Sequence, residues 1–221
     1  MPGTSRPVDL RLYLVTDTGL CGEYGVPQTV VDAVAGGVTF VQVRDPDASD
    51  AAFVALARQV REVLEGSGVP LIVNDRVHLV EQVGADGAHI GQSDLDPRQA
   101  RELLGPDRVL GLSAQTIEHI DRARSLPDGT IDYLGIGPVY PQTTKLNASA
   151  PQGLDGTAAL AAASPWPCVA IGGINPSVAA DIRRTGVDGI AVVSAICGQP
   201  DPRAAARELL RNWEDGRDST A

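Results

Sequence analysis

Two carboxylate residues, Asp75 and Asp94, follow two short apolar runs in the middle of the chain. The runs are Leu71–Val73 and Ala88–Ile90, and the residues between them have helical spacing. Short apolar runs bounded by polar residues or glycine are typical of buried parallel strands, so the segment predicts a strand, a helix and a second strand. Because chemistry in parallel α/β folds collects at the carboxyl ends of strands, we expect both carboxylates on one rim.

A pair of carboxylates with amide neighbours suits a divalent cation. Asn74 and Gln92 stand beside Asp75 and Asp94, and Mg²⁺ prefers oxygen ligands, including one or two carboxylates and the phosphate oxygens of a substrate. Taken singly, each aspartate fits a helix cap at least as well, because each lies where a strand passes into a helix or turn. The pair favours a magnesium site.

Glycines and a serine after the last two predicted strands indicate a phosphate site. Gly172 and Gly173 follow the seventh strand, and Val193 and Ser194 end the eighth. In barrels of this class, backbone N–H groups at these positions commonly bind a phosphate group, and a side chain at Gly173 would hold an anion away from them. The alternative is that the glycines only form tight turns.

Two cations are candidates for binding phosphate oxygens. Arg44 ends the second predicted strand, and Lys145 lies in the loop after the sixth. A guanidinium can donate two parallel hydrogen bonds to phosphate and an ammonium adds a mobile charge, although surface salt bridges are the alternative for each.

His89 lies inside a strand, which favours a core or supporting role over catalysis. No Ser/His/Asp nucleophile arrangement is evident in the sequence.

Composition restricts the class of protein. The chain has 221 residues, 43% of them hydrophobic and 4% aromatic, with a formal charge of −10. That negative charge argues against nucleic acid or anionic lipid as a partner that binds only through overall electrostatic attraction. No apolar run approaches the ~20 residues that a membrane span needs. Cys21, Cys168 and Cys197 lack the spacing of a disulfide framework or zinc site. These features predict a cytoplasmic protein of undefined oligomeric state.

Strand-like and helix-like segments alternate eight times without a linker. The first predicted strand is Leu12–Val15 and the last is Gly189–Val193, and the final helix covers Arg203–Trp213. Such alternation predicts a single (β/α)₈ barrel, a TIM barrel, as one domain over residues 1–221. Residues from about Glu214 onward are interpreted as a solvated tail.

The motifs at the strand ends resemble those of the thiamine phosphate synthase family. The match runs in order through nearly the whole chain, and the combination is specific although each motif alone is weak. The motifs are Leu12–Asp17, Val41–Arg44, Val73–Arg76, His89–Asp94, Gly135–Pro141, Thr144–Lys145, Gln152–Gly153, Ala170–Ile174 and Val193–Ile196.

The resemblance implies a transferase of thiamine biosynthesis. It would couple 4-amino-2-methyl-5-pyrimidinylmethyl diphosphate to 4-methyl-5-(2-phosphoethyl)thiazole by dissociative substitution, releasing thiamine phosphate and pyrophosphate. By family analogy Mg²⁺ is the cofactor, held by Asp75 and Asp94. The residues implied for the pyrimidine diphosphate are Gln42, Val43, Arg44, Asp45, Pro46, Asn74, Ser113 and Lys145, of which Arg44, Ser113 and Lys145 are the catalytic set. Those implied for the thiazole phosphate are Gln142, Thr143, Thr144, Gly173, Val193 and Ser194.

One position departs from the family pattern. Members usually carry a lysine two residues after the arginine of the second strand, whereas this chain has Pro46, which supplies no cation. Two other functions therefore stay open. A thiazole tautomerase-like relative would lack the metal-binding aspartates and use a histidine near the sixth strand, where this chain has Gly137. A phosphate-ligand sensor without activity would keep the phosphate glycines.

Overall fold

The computed structural model describes residues 8–142 and 150–216. Within these residues eight parallel strands close into a barrel in chain order, each hydrogen-bonded to its sequence neighbours, with β8 pairing back to β1. The predicted (β/α)₈ barrel is confirmed. The strands are β1 (Leu12–Val15), β2 (Phe40–Val43), β3 (Leu71–Asn74), β4 (Gly87–Ile90), β5 (Val109–Ala114), β6 (Tyr133–Ile136), β7 (Cys168–Ile171) and β8 (Gly189–Val192).

Helices surround the barrel and connect the strands. The α-helices of the described residues are α1 (Thr18–Cys21), α2 (Val26–Ala35), α3 (Asp50–Leu64), α4 (Val80–Val83), α5 (Pro97–Leu104), α6 (Ile117–Arg124), α7 (Gly153–Ala163), α8 (Pro176–Arg183) and α9 (Pro202–Asp215). Short 3₁₀ turns lie at Gly22–Tyr24 and Val77–Leu79. No helix in residues 8–142 and 150–216 has the length and apolarity needed to cross a membrane.

The apolar pattern of each element follows its place in the barrel. Strand residues are buried on both faces because the helices cover the outside, which is why the strands read as continuous apolar runs. On α3 the buried side chains recur at helical spacing and face the strands. Each fully buried aliphatic side chain of this layer contributes about 1.5–3 kcal/mol. The buried residues of α3 are Phe53, Val54, Ala57, Val60 and Leu64.

Three aromatic rings fill the lower half of the barrel interior. Tyr13, Phe40 and Tyr133 are fully buried, and their ring centroids are separated by 4.7 to 6.1 Å in edge-to-face geometry. A cavity lies next to Tyr13 toward the carboxyl ends of the strands, where a ligand can enter.

Polar caps fix the helix ends. Asp96 caps α5 with Pro97 at its first position, and Thr116 caps α6, both as predicted. At the opposite rim, the carboxylates of Asp86, Asp132 and Asp188 accept a backbone N–H from the first or second residue of β3, β5 and β7, at 2.7 to 2.9 Å. The aspartate just before β4, β6 or β8 therefore satisfies a donor at the start of the preceding strand.

Some predicted boundaries differ from the structure. The segment Val77–Val83 forms a 3₁₀ turn followed by the short helix α4 instead of one regular helix, and α1 was not predicted. The last helix extends to Asp215, two residues beyond the predicted end at Trp213, so Glu214 is helical. The rest of the predicted tail, residues 217–221, lies outside the described residues. The three cysteines are free and buried.

Candidate active site

A cavity of about 550 Å³ opens at the carboxyl ends of the strands. This volume is typical of a small-molecule site, and its place in the barrel is where such folds carry their chemistry. Eight of the residues predicted from the sequence line it: Gln42, Arg44, Asn74, Ser113, Gln142, Gly173, Val193 and Ser194.

The other predicted residues do not line this cavity or fall outside the described residues. The Val43 side chain is fully buried in the layer between strands and helices, so a ligand could contact only its backbone. Asp45 and Pro46 lie in the loop after β2, and Asp75 and Asp94 lie on the rim. Thr143, Thr144 and Lys145 lie outside the described residues.

The Arg44 guanidinium is available for a ligand. Its backbone N–H donates to Thr16 Oγ1 at 3.2 Å, which fixes the end of β2. Its side chain lines the cavity and makes no hydrogen bond or ion pair with any described residue. A partly exposed guanidinium with unfilled donors can bind an anion without first breaking an internal contact.

Arg76, by contrast, is used to hold the loop after β2. Its guanidinium donates to the carbonyls of Asp45 and Ala48 and forms an ion pair with Asp50 at 2.7 Å. It also lies 4.9 Å from the centre of the Phe53 ring. Arg76 therefore orders the loop that contains Pro46, but its charge is already paired and does not replace the lysine of the family pattern.

The two rim carboxylates lie on the same end of the barrel. Asp75 directly follows β3 and Asp94 lies in the turn after β4, and β3 and β4 are paired in parallel. Neither is an N-cap, since Arg76 precedes the 3₁₀ turn after β3 and Asp96 caps α5. The capping alternative left open by the sequence is therefore wrong for both residues.

The local geometry of these carboxylates fits a hard cation. Asp75 has φ 58°, a left-handed conformation that non-glycine residues adopt at a cost and that clusters at functional sites. Its Oδ2 accepts from Asn74 Nδ2 at 2.6 Å, and Asp94 Oδ2 accepts from the Gly91 N–H at 2.7 Å. The described residues contain no cluster of three or more metal-binding side chains, so a cation here would need substrate oxygens or water as further ligands.

Backbone amides define the opposite side of the cavity. Gly173 has φ 66°, and a Cβ there would lie 2.7 Å from the Pro141 carbonyl oxygen and the Tyr140 Cβ, so only glycine fits. The N–H groups of Gly173 and Ser194 donate to no described residue, and Gln199 Nε2 fixes the Ser194 carbonyl at 2.8 Å. Such free amides suit a phosphate group.

A Ser/His contact at the cavity floor was missed by sequence reasoning. His89 Nε2 lies 3.0 Å from Ser113 Oγ, and His89 Nδ1 lies 3.0 Å from the Tyr133 hydroxyl. Burial raises the pKa of Tyr133 well above its usual value, so this phenol stays protonated and is not the anionic partner that a hydrolytic triad requires. His89 was correctly placed inside a strand, but the partners on β5 and β6 carry no local signal.

Comparison with known proteins agrees with this geometry. Residues 12–196 match the family model described as thiamine monophosphate synthase. The chain belongs to the thiamine monophosphate synthase family. It is 47% identical over 201 residues to the thiamine-phosphate synthase of Psychrobacter sp. (strain PRwf-1), covering 91% of this chain and 94% of that protein. It is 46% identical to the thiamine-phosphate synthase of Azorhizobium caulinodans, covering 96% and 99%.

A solved structure extends the agreement to the fold. Thiamine phosphate pyrophosphorylase from Pyrococcus furiosus superposes with a TM-score of 0.83 at 33% identity, covering 95% of this chain and 98% of that one. Family membership and these relatives make the chain a transferase of thiamine biosynthesis, as the sequence motifs indicated.

Proposed function

We propose that this enzyme joins 4-amino-2-methyl-5-pyrimidinylmethyl diphosphate to 4-methyl-5-(2-phosphoethyl)thiazole in the barrel cavity, with Mg²⁺ as cofactor. The observation that carries the proposal is the division of one cavity into two anion-binding sides. Arg44 and the rim carboxylates lie beside β2, β3 and β4, whereas the free amides of Gly173 and Ser194 follow β7 and β8. Two phosphorylated substrates can therefore bind at once with their rings between them.

The diphosphate side is suited to a departing anion. Asp75 and Asp94 would hold Mg²⁺, which supplies charge neutralisation to the diphosphate when bound. Arg44 donates to the same oxygens, and its bonds strengthen as negative charge builds on the leaving pyrophosphate. Lys145 is proposed as the second cation on the basis of the family resemblance.

The reaction needs no protein nucleophile. When the carbon–oxygen bond to the diphosphate breaks, the aminopyrimidine ring delocalises the positive charge on its methylene carbon. The thiazole nitrogen then forms the new carbon–nitrogen bond, and the phosphate anchor at Gly173 and Ser194 positions it. His89 contacts the Tyr133 and Ser113 hydroxyls at 3.0 Å and has no covalent part in this scheme.

Incubation with both substrates, with and without Mg²⁺, tests the proposal. We expect metal-dependent release of thiamine phosphate and pyrophosphate in equal amounts. Isomerised thiazole phosphate alone would identify the tautomerase-like function, and binding without turnover would identify the sensor; either result would refute the proposal.

A second experiment tests the order of bond breaking. The pyrimidine diphosphate is labelled with ¹⁸O at the bridging position and incubated with enzyme and Mg²⁺ without the thiazole. Dissociative departure predicts that the label moves into non-bridging positions of recovered substrate. Coupling in the complete reaction without any such exchange would argue that the thiazole must attack before the diphosphate leaves.

A further inference from the structure

Residues 137–141, which follow β6, form one wall of the cavity, and we call them the wall segment. On one side this segment is hydrogen-bonded to the end of β7. The N–H groups of Val139 and Tyr140 donate to the carbonyls of Ile171 and Gly172, both at 3.0 Å. The wall segment is therefore tied to the strand whose end carries the phosphate glycines.

On its other side, three successive carbonyls of the wall segment accept hydrogen bonds from only two residues. Gln152 Nε2 donates to the Gly137 carbonyl at 3.2 Å. The Gln152 N–H donates to the Pro138 carbonyl, and the Gly153 N–H donates to the Val139 carbonyl, both at 2.9 Å. Gln152 and the first residue of α7 therefore hold the wall segment from the side opposite β7.

The first turn of α7 leaves space for the Gln152 side chain. A Cβ at Gly156 would lie 2.8 Å from Gln152 Cβ, which is too close for two carbon atoms. Inside a helix, glycine is less favourable than alanine by about 1 kcal/mol. Gln152 Nε2 also donates to the Gln115 carbonyl at 2.8 Å, so one half-buried carboxamide bridges the chain after β5 and the chain after β6.

The wall segment lies directly against both glycines that follow β7. A Cβ at Gly172 would lie 2.5 Å from Pro138 Cβ, and a Cβ at Gly173 would lie 2.7 Å from the Pro141 carbonyl oxygen. Because no space separates the segment from these glycines, a displacement of the segment changes the position of the Gly173 N–H.

We propose that Gln152 is a positioning residue for the thiazole phosphate, because its side chain holds the wall segment against Gly173 and so directs the Gly173 N–H toward the phosphate. This inference rests on the proposed function, which puts a phosphate at Gly173. The pyrimidine side depends less on Gln152, since the chain after β5 has a second attachment. The Gln115 N–H donates to His119 Nδ1 at 3.1 Å.

Calorimetric titration with 4-methyl-5-(2-phosphoethyl)thiazole alone tests the proposal without turnover. Gln152→Met keeps the length of the side chain but removes its N–H donor, and it should weaken binding about 5-fold, the effect of one lost neutral hydrogen bond. Gln99→Met makes the same substitution at an exposed position of α5 and should leave Kd within about 2-fold.

The unmodified enzyme separates the two ways in which this experiment can fail. An equal Kd for the unmodified enzyme and Gln152→Met would overturn the positioning role alone. Absence of binding to the unmodified enzyme would overturn the proposed function, and this inference with it.

Steady-state kinetics distinguishes positioning from a general structural role. In Gln152→Met, KM for the thiazole phosphate should rise about 5-fold, whereas KM for the pyrimidine diphosphate should stay within about 2-fold. An equal rise in both KM values would overturn the proposal, because a loosened barrel would affect both sides of the cavity.

Gly156→Ala gives an independent result if Gln152→Met does not fold. The added methyl group must displace Gln152, while alanine favours the helix. We expect Kd for the thiazole phosphate to rise about 3-fold in a protein that is at least as helical by circular dichroism. An unchanged Kd would refute the proposal, as would losses that multiply when both substitutions are combined.

Discussion

Replacement of Arg44 should separate binding from folding. Arg44→Gln removes a guanidinium that lines the cavity and forms no hydrogen bond or ion pair with any described residue. Because the substitution breaks no hydrogen bond or ion pair among residues 8–142 and 150–216, the thermal midpoint should stay within about 2 °C, as expected for a change below ~0.5 kcal/mol in a domain of this size.

The expected loss of activity follows from the bonds that one guanidinium can make. A bidentate contact with a diphosphate consists of two charge-assisted hydrogen bonds, each worth about 1.5–3 kcal/mol. Their loss weakens the transition state by about 3–6 kcal/mol, which corresponds to a fall in kcat/KM on the order of 10²- to 10⁴-fold. Part should appear in kcat, because the charge on the leaving pyrophosphate develops during the reaction.

The assay is release of pyrophosphate at varied pyrimidine diphosphate and saturating thiazole phosphate. Arg211→Gln is the matched control, since Arg211 is exposed on α9 and should lose less than 2-fold. A loss below about 10-fold for Arg44→Gln would refute a bidentate contact with the diphosphate. A fall in thermal midpoint together with activity would instead indicate an internal role for the guanidinium.

Three further predictions concern other parts of the molecule. Gly173→Ala should destabilise the fold by at least about 1–2 kcal/mol, since its φ of 66° disfavours a Cβ and that Cβ would also lie 2.7 Å from the Pro141 carbonyl oxygen. It should also raise KM for the thiazole phosphate, and unchanged kinetics would place the phosphate elsewhere. Asp132→Asn should lower the free energy of unfolding by about 1–3 kcal/mol in urea titrations, because Asp132 pairs with the largely buried Arg101 at 2.7 Å; an unaltered unfolding curve would contradict this. Burial and the nearby positive charge of Arg122 lower the pKa of His119 below 6.5. The contribution of neutral His119 to the free energy of unfolding should therefore be lost as pH falls below 6.5. His119→Asn should make the free energy of unfolding, measured from about pH 7 to 5, less dependent on pH. Parallel pH profiles for variant and parent would refute it.

The barrel was predictable because its strands carry local signals. Runs such as Leu71–Val73 are buried on both faces, and polar residues or glycine end them, so short apolar runs with such ends identified all eight strands. The caps at Asp96 and Thr116 were predictable for a similar reason, since a capping side chain bonds to a backbone N–H two or three residues away.

The candidate site was predictable in part. Residues at strand ends, such as Arg44 and Ser194, were identified because parallel strands share a rim. The cavity floor was not, because Tyr13 and Tyr133 are 120 positions apart and their contact depends on barrel register. The role of Arg76 was also missed, since its bonds to the loop after β2 span up to 31 positions.

The most direct test of the account is a double-mutant cycle at the two rim carboxylates. Asp75→Asn, Asp94→Asn and the double variant are compared in kcat/KM for coupling at saturating Mg²⁺. If both carboxylates hold one Mg²⁺, each single variant should lose at least ~10²-fold and the double variant should lose little more than the worse single one. Losses that multiply in the double variant, or a single variant with unchanged turnover, would contradict a shared ion at this rim.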